Sequence, residues 1–487
     1  MTDSVPLIGE NGLTYLALYL LLLIGFGALG KKAMKENSLS DFYLAGRVLG
    51  TPVLFLTLYA TQYSGNTLIG FAGKAYRGGY ESIVMVVFMT SVIGGYFIYA
   101  PKLHRLSKKH NYITMGDYIQ HRFNCSGLTY FAVGLSIIAL GNYILTNLKA
   151  IGHIMEHSTH GVIGFTEAII GLSIIMVIYE TLGGMRSVAW TDTIQAIMLL
   201  VGAVLIFFLI QIEYGNIVET GSIIQKQNPE MFHPPSLEKK INWFSTICLA
   251  FFGISIYPHA IQRIYASRDE KSLIQSFQIM AFMPFITTLF IVIVGWTGIA
   301  HFPGLSDTQS ENITMIILED LGKRIPFMGI FIVIFLSAVI AAIMSTVDSA
   351  LLAISSMMAN DVYKKLNPKK TQCELTNFGK ISSWLIMSIA ILLAINVPQT
   401  IWRIMEIKLE LLCQIAPCMF LGIHFKNIQS KSIFVGMIVG TVVSVGLIIV
   451  NALYPSFPSK PLGLHNGVWG LLINFIFIFL INWTRKN

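Results

Sequence analysis

Charge is what this sequence has least of. Asp, Glu, Lys and Arg make up 12% of its 487 residues, about half of the roughly 25% usual in a soluble domain. That scarcity excludes a soluble enzyme, which needs a hydrated surface, and a disordered chain, which needs charge to stay solvated. Cysteine is sparse too, with five residues, Cys125, Cys248, Cys373, Cys413 and Cys418. They are scattered, odd in number and free of CxxC spacing, so neither a disulfide framework nor a metal site is expected. The eleven histidines contain no HExxH spacing, and no nucleophile–base pair stands out, so an integral-membrane enzyme is a poor reading. The opening residues, MTDSVPLIGENG, carry no Lys or Arg. No cleaved signal peptide is expected, and the first apolar run is read as a span that stays.

What is present is apolar sequence in long blocks. Apolar residues make up 54% of the chain, and the mean hydropathy is +0.67. A helix of about 20 apolar residues crosses a bilayer. Runs on that scale cover residues 12–30, 49–73, 82–101, 127–155, 162–180, 188–212, 243–264, 274–302, 326–361, 377–396, 400–424, 433–453 and 466–484. The expectation is an all-α membrane protein of about 13 transmembrane helices, one domain over 1–487, in a cell membrane. The longest loop, 213–242, leaves no room for a soluble catalytic domain. The net charge of +8 is spread over short loops, which argues against a nucleic-acid partner. The expected partners are the lipid bilayer and a small-molecule solute; oligomeric state is open.

With the N-terminus outside, 22 cations fall in cytoplasmic segments, Arg186 and Arg263 among them, and 8 in outer ones. This bias predicts N-out and C-in. The second run has a polar centre, Ala60 to Thr67 with Gly65, and the seventh has Gly253, Ser255, Pro258 and His259 at its middle. Unwound backbone at membrane depth survives only where it is buried or lines a cavity. Two interrupted helices five spans apart suggest two five-helix repeats, 49–212 and 243–424, flanked by an extra N-terminal span, 12–30, and two C-terminal spans, 433–484.

Four segments carry a resemblance. They are Tyr43-Leu44-Ala45-Gly46-Arg47 through Gly50, Gly183-Gly184-Met185-Arg186-Ser187-Val188-Ala189-Trp190-Thr191-Asp192 through Gln195, Pro258-His259 with Arg263, and Ala341-Ala342-Ile343-Met344-Ser345-Thr346-Val347-Asp348-Ser349. Together they resemble the sodium:solute symporters, the group of proline, pantothenate, sialic acid, sugar and choline carriers. The resemblance implies a leucine-transporter-type 5+5 inverted repeat and sodium as the coupling ion.

Ala342, Ser345, Thr346 and Ser349 share one helix face, and hydroxyls with a free carbonyl are hard ligands suited to an alkali cation. A small-residue helix contact explains the same spacing. The resemblance implies that sodium is held by the carbonyls of Ala60, Tyr63 and Ala342 and the hydroxyls of Ser345 and Thr346. It implies that in some members the aspartate equivalent to Asp192 joins hydroxyls of this segment in a second sodium site, which Ser345, Asp348 and Ser349 could complete here; Asp348 departs from the branch that has a serine there, so one sodium or two stays open. Here Asp348 stands open between ligand, proton carrier and structural group. Solute contacts implied by the family's geometry are Gln62, Ser64, Asn66, Thr67, Tyr143, Asn147, Ser255 and Tyr257. Compared with proline carriers, Gln62 replaces an aspartate, and Ala250 and Ile254 replace gate aromatics.

Lys149 lies in the apolar run 127–155. Either its stem carries the ammonium to the interface, or the charge pairs with Asp192, Asp348 or a carboxylate solute. Arg403, Glu406, Lys408 and Glu410 are read as a solvated, partly paired helix face. The function that follows is secondary active uptake of a small organic solute driven by sodium, with a carboxylate as one class. The alternative is a carrier-fold sensor or channel without coupled transport.

Overall fold

The computed structural model describes residues 7–325, 328–396, 401–454 and 456–483; the side chains of residues 10, 66 and 401–406 lie outside that description. Helices dominate. Among the described residues the only extended pairing is a parallel bridge between Leu49 and Ser267. It is closed by Leu49 N–H to the Ala266 carbonyl (3.1 Å) and Arg268 N–H to the Leu49 carbonyl (2.8 Å). This bridge ties the start of one broken helix to the end of the other.

Among the described residues, each apolar run lies mostly on helix. Ten single helices among the described residues are long and apolar enough to cross a membrane, and an eleventh span is the pair Leu237–Ile256 and Pro258–Ala266, bent by 49°. That tally takes Phe165–Glu213 as one helix of 49 residues. At about 1.5 Å per residue it would reach about 73 Å, far beyond a hydrocarbon core of about 30 Å. The chain divides at Gly184, whose φ of 56° and ψ of −143° are not helical. A Cβ there would sit 2.3 Å from the Phe42 carbonyl oxygen. Only glycine makes that corner, and the two runs 162–180 and 188–212 lie on either side of it.

The helix Met328–Met357 is the axis of the molecule. Every residue from Phe335 to Met357 is buried, as expected of a helix apolar all round. It packs on Thr51–Gln62, Ser126–Ser158 and Phe165–Glu213. Glu10–Ala33 leans on Phe165–Glu213, and Ser430–Leu453 pairs with Asn466–Trp483 at the periphery. Leu18, Leu21, Val442 and Phe479 point outward from these peripheral helices, an apolar surface suited to lipid.

Two sequence readings need correction. The cation tally treats Arg186 and Arg263 as loop residues, yet they are 7% and 0% exposed. Arg186 Nη2 lies 2.6 Å from Asp41 Oδ1, and Arg263 Nη2 lies 2.7 Å from Asp192 Oδ2. A cation paired inside the protein does not report on sidedness, so the usable bias is twenty to eight. Lys408 and Glu410, read as a solvated face, are 2% and 1% exposed. Their helix, Ile401–Leu412, is packed on Ser126–Ser158, a burial that the mixed charges of the segment conceal. The side chains of Arg403 and Glu406 lie outside the described residues.

Asp41 anchors the first corner. Its Oδ2 accepts the amides of Lys35 (2.8 Å) and Glu36 (3.1 Å), and its Oδ1 accepts from Arg186. Burial raises its pKa, but the bonds from Arg186, Glu36 and Lys35 outweigh that and hold the carboxyl below the usual carboxylate range. A depressed carboxylate stabilises fully above its unfolded pKa and loses that contribution as pH falls through the folded value. Asp41→Asn is expected to be less stable than wild type at neutral pH by about 3 kcal/mol. The gap should close progressively as pH falls from about 5 towards about 1, through the lowered folded value. Thermal unfolding in detergent across that range measures it, and a constant gap would remove Asp41 as its source.

Candidate sodium and solute site

The first broken helix runs Thr51–Gln62, Gly65–Leu68 and Gly70–Gly78. Tyr63 and Ser64 between its first two parts are extended, with ψ of 110° and 176°. The helical ladder that would cover the Ala60 and Tyr63 carbonyls is therefore interrupted, and the Thr67 amide turns to the Ser64 carbonyl (2.8 Å). Gly65 brings this break onto the central helix: a Cβ there would lie 2.3 Å from Ile343 Cγ1 and 3.1 Å from the Val339 carbonyl oxygen. Ile343 stands between Ala342 and Ser345 in the chain and about one turn before Thr346, so the break packs on the segment that carries those residues.

On the central helix, Thr346 Oγ1 donates to the Ala342 carbonyl (3.0 Å) and Ser345 Oγ donates to Asp192 Oδ1 (2.5 Å). A hydroxyl that donates keeps lone pairs for a cation, so this donor set fits a hard ion. Tyr143, from Ser126–Ser158, sets its hydroxyl beside Ser64 and Thr346, joining the break to the hydroxyl helix.

Around Asp192 lies a charge network. Thr57 Oγ1 donates to Asp192 Oδ2. The Arg263 guanidinium donates to Thr57 Oγ1 (2.8 Å), the His259 carbonyl (3.0 Å), Asp192 Oδ2 (2.7 Å) and Ser349 Oγ (2.6 Å). Asp348 accepts from the Tyr179 hydroxyl (2.6 Å) and from Ser349 Oγ (3.2 Å). Ser349 thus links the two carboxylates through Arg263. Sequence reasoning names Asp192, Asp348, Ser345 and Ser349 but misses Thr57, Tyr179 and the role of Arg263. The signal available for Arg263 is its place beside Pro258 at the end of an apolar run.

The solute candidates are only partly drawn together. Tyr143, Tyr257 and His259 form one aromatic group, with centroids 5.7 Å apart for the tyrosines and 5.0 Å for Tyr257–His259. Asn147 donates to the Tyr143 carbonyl (2.8 Å) and leaves its Oδ1 without a partner. Gln62 donates to the Met89 carbonyl (3.2 Å) and leaves its Oε1 likewise. Ser255 uses its hydroxyl on the Phe251 carbonyl (2.5 Å), while its own carbonyl accepts from Tyr99. Ser64 and Thr67 are buried at the break; the Asn66 side chain lies outside the described residues. Lys149 is buried in the same helix as Tyr143.

A model of the sodium:solute symporter family matches residues 42–440. The chain belongs to the sodium:solute symporter family. Its relatives include the osmoregulated proline transporter of Bacillus subtilis strain 168, 26% identical over 480 residues, with 96% of this chain and 94% of that one covered. A sodium/proline symporter of Staphylococcus aureus strain RF122 is 25% identical, covering 99% and 94%. An uncharacterized symporter of B. subtilis is 24% identical, covering 96% of each. Among solved structures, a sodium-coupled sialic acid symporter in a substrate-bound, outward-open state superposes with a TM-score of 0.80 at 19% identity, covering 98% of each chain; that structure is described as revealing a novel sodium site. A nucleobase–cation symporter superposes at 0.57 and 14% identity, covering 93% and 96%. The symporter is thus an all-helical, multi-pass membrane protein of the leucine-transporter type, and it couples sodium to uptake of a small-molecule solute.

Proposed function

We propose that the symporter binds sodium between the Ala60, Tyr63 and Ala342 carbonyls and the Ser345 and Thr346 hydroxyls, and releases it inward together with a small organic solute. The observation that carries this reading is the packing of the break on the central helix: Gly65 lies against Ile343, and the Tyr143 hydroxyl sits beside both Ser64 and Thr346. Sodium there ties the first broken helix to the central helix and favours the state open to the outside. Solute then binds beside the break, against Gln62, Ser64, Asn66, Thr67, Tyr143, Asn147 and Tyr257, and one repeat rocks against the other. Mutual strengthening of the two bindings is all that coupling requires.

Arg263 supplies a fixed positive charge among Asp192 and Ser349. The reading is therefore one sodium per solute, with Asp192, Asp348 and Ser349 serving as a structural charge network in place of a second sodium site. The repeats are 49–212 and 243–424, the N-terminus is outside and the C-terminus is cytoplasmic, supported by the twenty-to-eight cation bias. The chain is read as a carrier without chemistry of its own.

Thr346→Ala and Ser345→Ala together are expected to raise the sodium concentration for half-maximal uptake about tenfold or more, because water replaces a lost ligand poorly in a dry site. Uptake into proteoliposomes with and without a sodium gradient measures this. Wild-type sodium dependence in a well-expressed double variant would dismiss the assignment. Uptake by the wild type driven as well by a proton gradient without sodium would identify the proton as the coupling ion.

A further inference from the structure

Lys408 has no role in the mechanism above, and its surroundings are unusual for a lysine. It is 2% exposed. Its Nζ lies 3.3 Å from the centroid of the Tyr143 ring and 5.0 Å from that of Tyr257. None of the ion pairs among the described residues includes it. Glu410, two residues on, is about 200° round an ideal helix, and its stem is packed against Gly467. An ammonium is strongly hydrated, and two ring faces return only part of what burial removes. Such a charge inside a membrane protein marks a place where something else supplies the opposite sign.

The polar groups around it point the same way. His259 lies 5.0 Å from Tyr257 and 6.0 Å from Tyr143, ring to ring, and both its ring nitrogens are buried without partners. Asn147 Oδ1, one turn from Tyr143, is also without one. Buried polar atoms are nearly always bonded, so a group of unmet ones beside an unmet charge is the outline of a ligand. The Tyr143 hydroxyl reaches Ser64 and Thr346, so this group adjoins both the first break and the hydroxyls assigned to sodium.

We propose that Lys408 is the anchor for the solute and that the solute carries a carboxylate. Its oxygens accept from the Lys408 ammonium between the Tyr143 and Tyr257 rings, with His259 beside them. A monoanion fits because one ammonium stands among neutral side chains; a phosphate dianion would leave a second charge unmet. Lys408 takes the part that sequence alone suggests for Lys149. The proposal rests on the sodium-coupled carrier reading and names the solute class of that same site. Sodium a short distance beyond Tyr143 adds a second positive charge and strengthens carboxylate binding, which is the coupling that symport needs.

The test uses the purified full chain with L-proline, N-acetylneuraminate, pantothenate and L-lactate, each beside its own amide. Binding is read as thermal stabilisation in sodium, and transport as sodium-driven uptake into proteoliposomes. The expected result is stabilisation by at least one carboxylate, not by its amide. Lys408→Met should weaken that binding about thirtyfold or more, as removal of one partner of a buried charge pair does, and Lys408→Arg should weaken it less. Stabilisation of Lys408→Met by sodium alone shows that the variant is folded. The proposal is overturned by an amide that binds as well as its acid, by unchanged affinity in Lys408→Met, or by a panel in which no carboxylate exceeds its amide. Chloride alone reproducing the stabilisation would assign Lys408 to an inorganic anion and overturn it as well. Lys408-dependent carboxylate binding without sodium-driven uptake would defeat the carrier reading and leave the anchor standing. Sodium-driven uptake of a neutral solute would do the reverse.

Discussion

Arg263→Met is expected to leave little symporter in the membrane. Arg263 and Asp192 are both fully buried, and the guanidinium bonds four groups, one on its own helix and three on three other helices. Removing it strands the Asp192 carboxylate among hydroxyls. Breaking one side of a buried ion pair costs about 3–5 kcal/mol, a large part of the roughly 5–15 kcal/mol that holds a typical domain folded. Asp192→Asn alone should also lower abundance, since it strands the guanidinium. Combining Arg263→Met with Asp192→Asn removes both charges and should recover most of the lost protein. Arg263→Lys is expected to be intermediate at best, because a compact ammonium cannot span Thr57, the His259 carbonyl, Asp192 and Ser349 together. Membrane abundance of the four variants, read by gel filtration of a fluorescent fusion, decides the matter. Single variants at wild-type abundance, or a double variant no better than the singles, would show that the pair does not hold the helices.

Gly65→Ala is expected to cost sodium affinity rather than protein. The added methyl meets Ile343 Cγ1 at 2.3 Å and Cδ1 at 2.7 Å, distances that force one helix away from the other. The central helix is buried throughout Phe335–Met357 and cannot retreat, because interiors are close-packed. The broken helix moves instead, and it carries the Ala60 and Tyr63 carbonyls with it. The sodium needed for half-maximal uptake should rise tenfold or more, since a small ion's ligands lose their shared geometry, a sensitivity of about 10²-fold per ångström elsewhere. Ile343→Ala in the same chain removes both clashing carbons and should restore part of the affinity. Wild-type sodium dependence in Gly65→Ala alone would separate this contact from the ion.

Much of this protein is legible in its sequence. Hydropathy locates the spans because a bilayer demands about 20 apolar residues in sequence order, whatever lies beside them. The two interruptions, at Tyr63–Ser64 and before Pro258, were legible because Gly, Pro and polar runs act on their own backbone. The shared face of Ala342, Ser345, Thr346 and Ser349 follows from helical pitch alone. Other readings reached further than local rules allow. Arg186 and Arg263 look like loop cations because each ends or borders an apolar run. Their partners, Asp41 and Asp192, lie 145 and 71 residues away.

By itself, then, the sequence determined the solvent in which this chain folds, the places where its helices break, and the row of hydroxyls beside one of them. Each of these is set within one or two turns of backbone. Only the tertiary structure decided which charges neutralise each other and which one is left over. Asp192 finds Arg263, Asp348 finds Tyr179, and Lys408, among the described residues, meets the faces of Tyr143 and Tyr257. The reason is physical. A buried charge takes its energy from the groups that happen to surround it in space, and inside a bundle those groups come from helices distant in the chain.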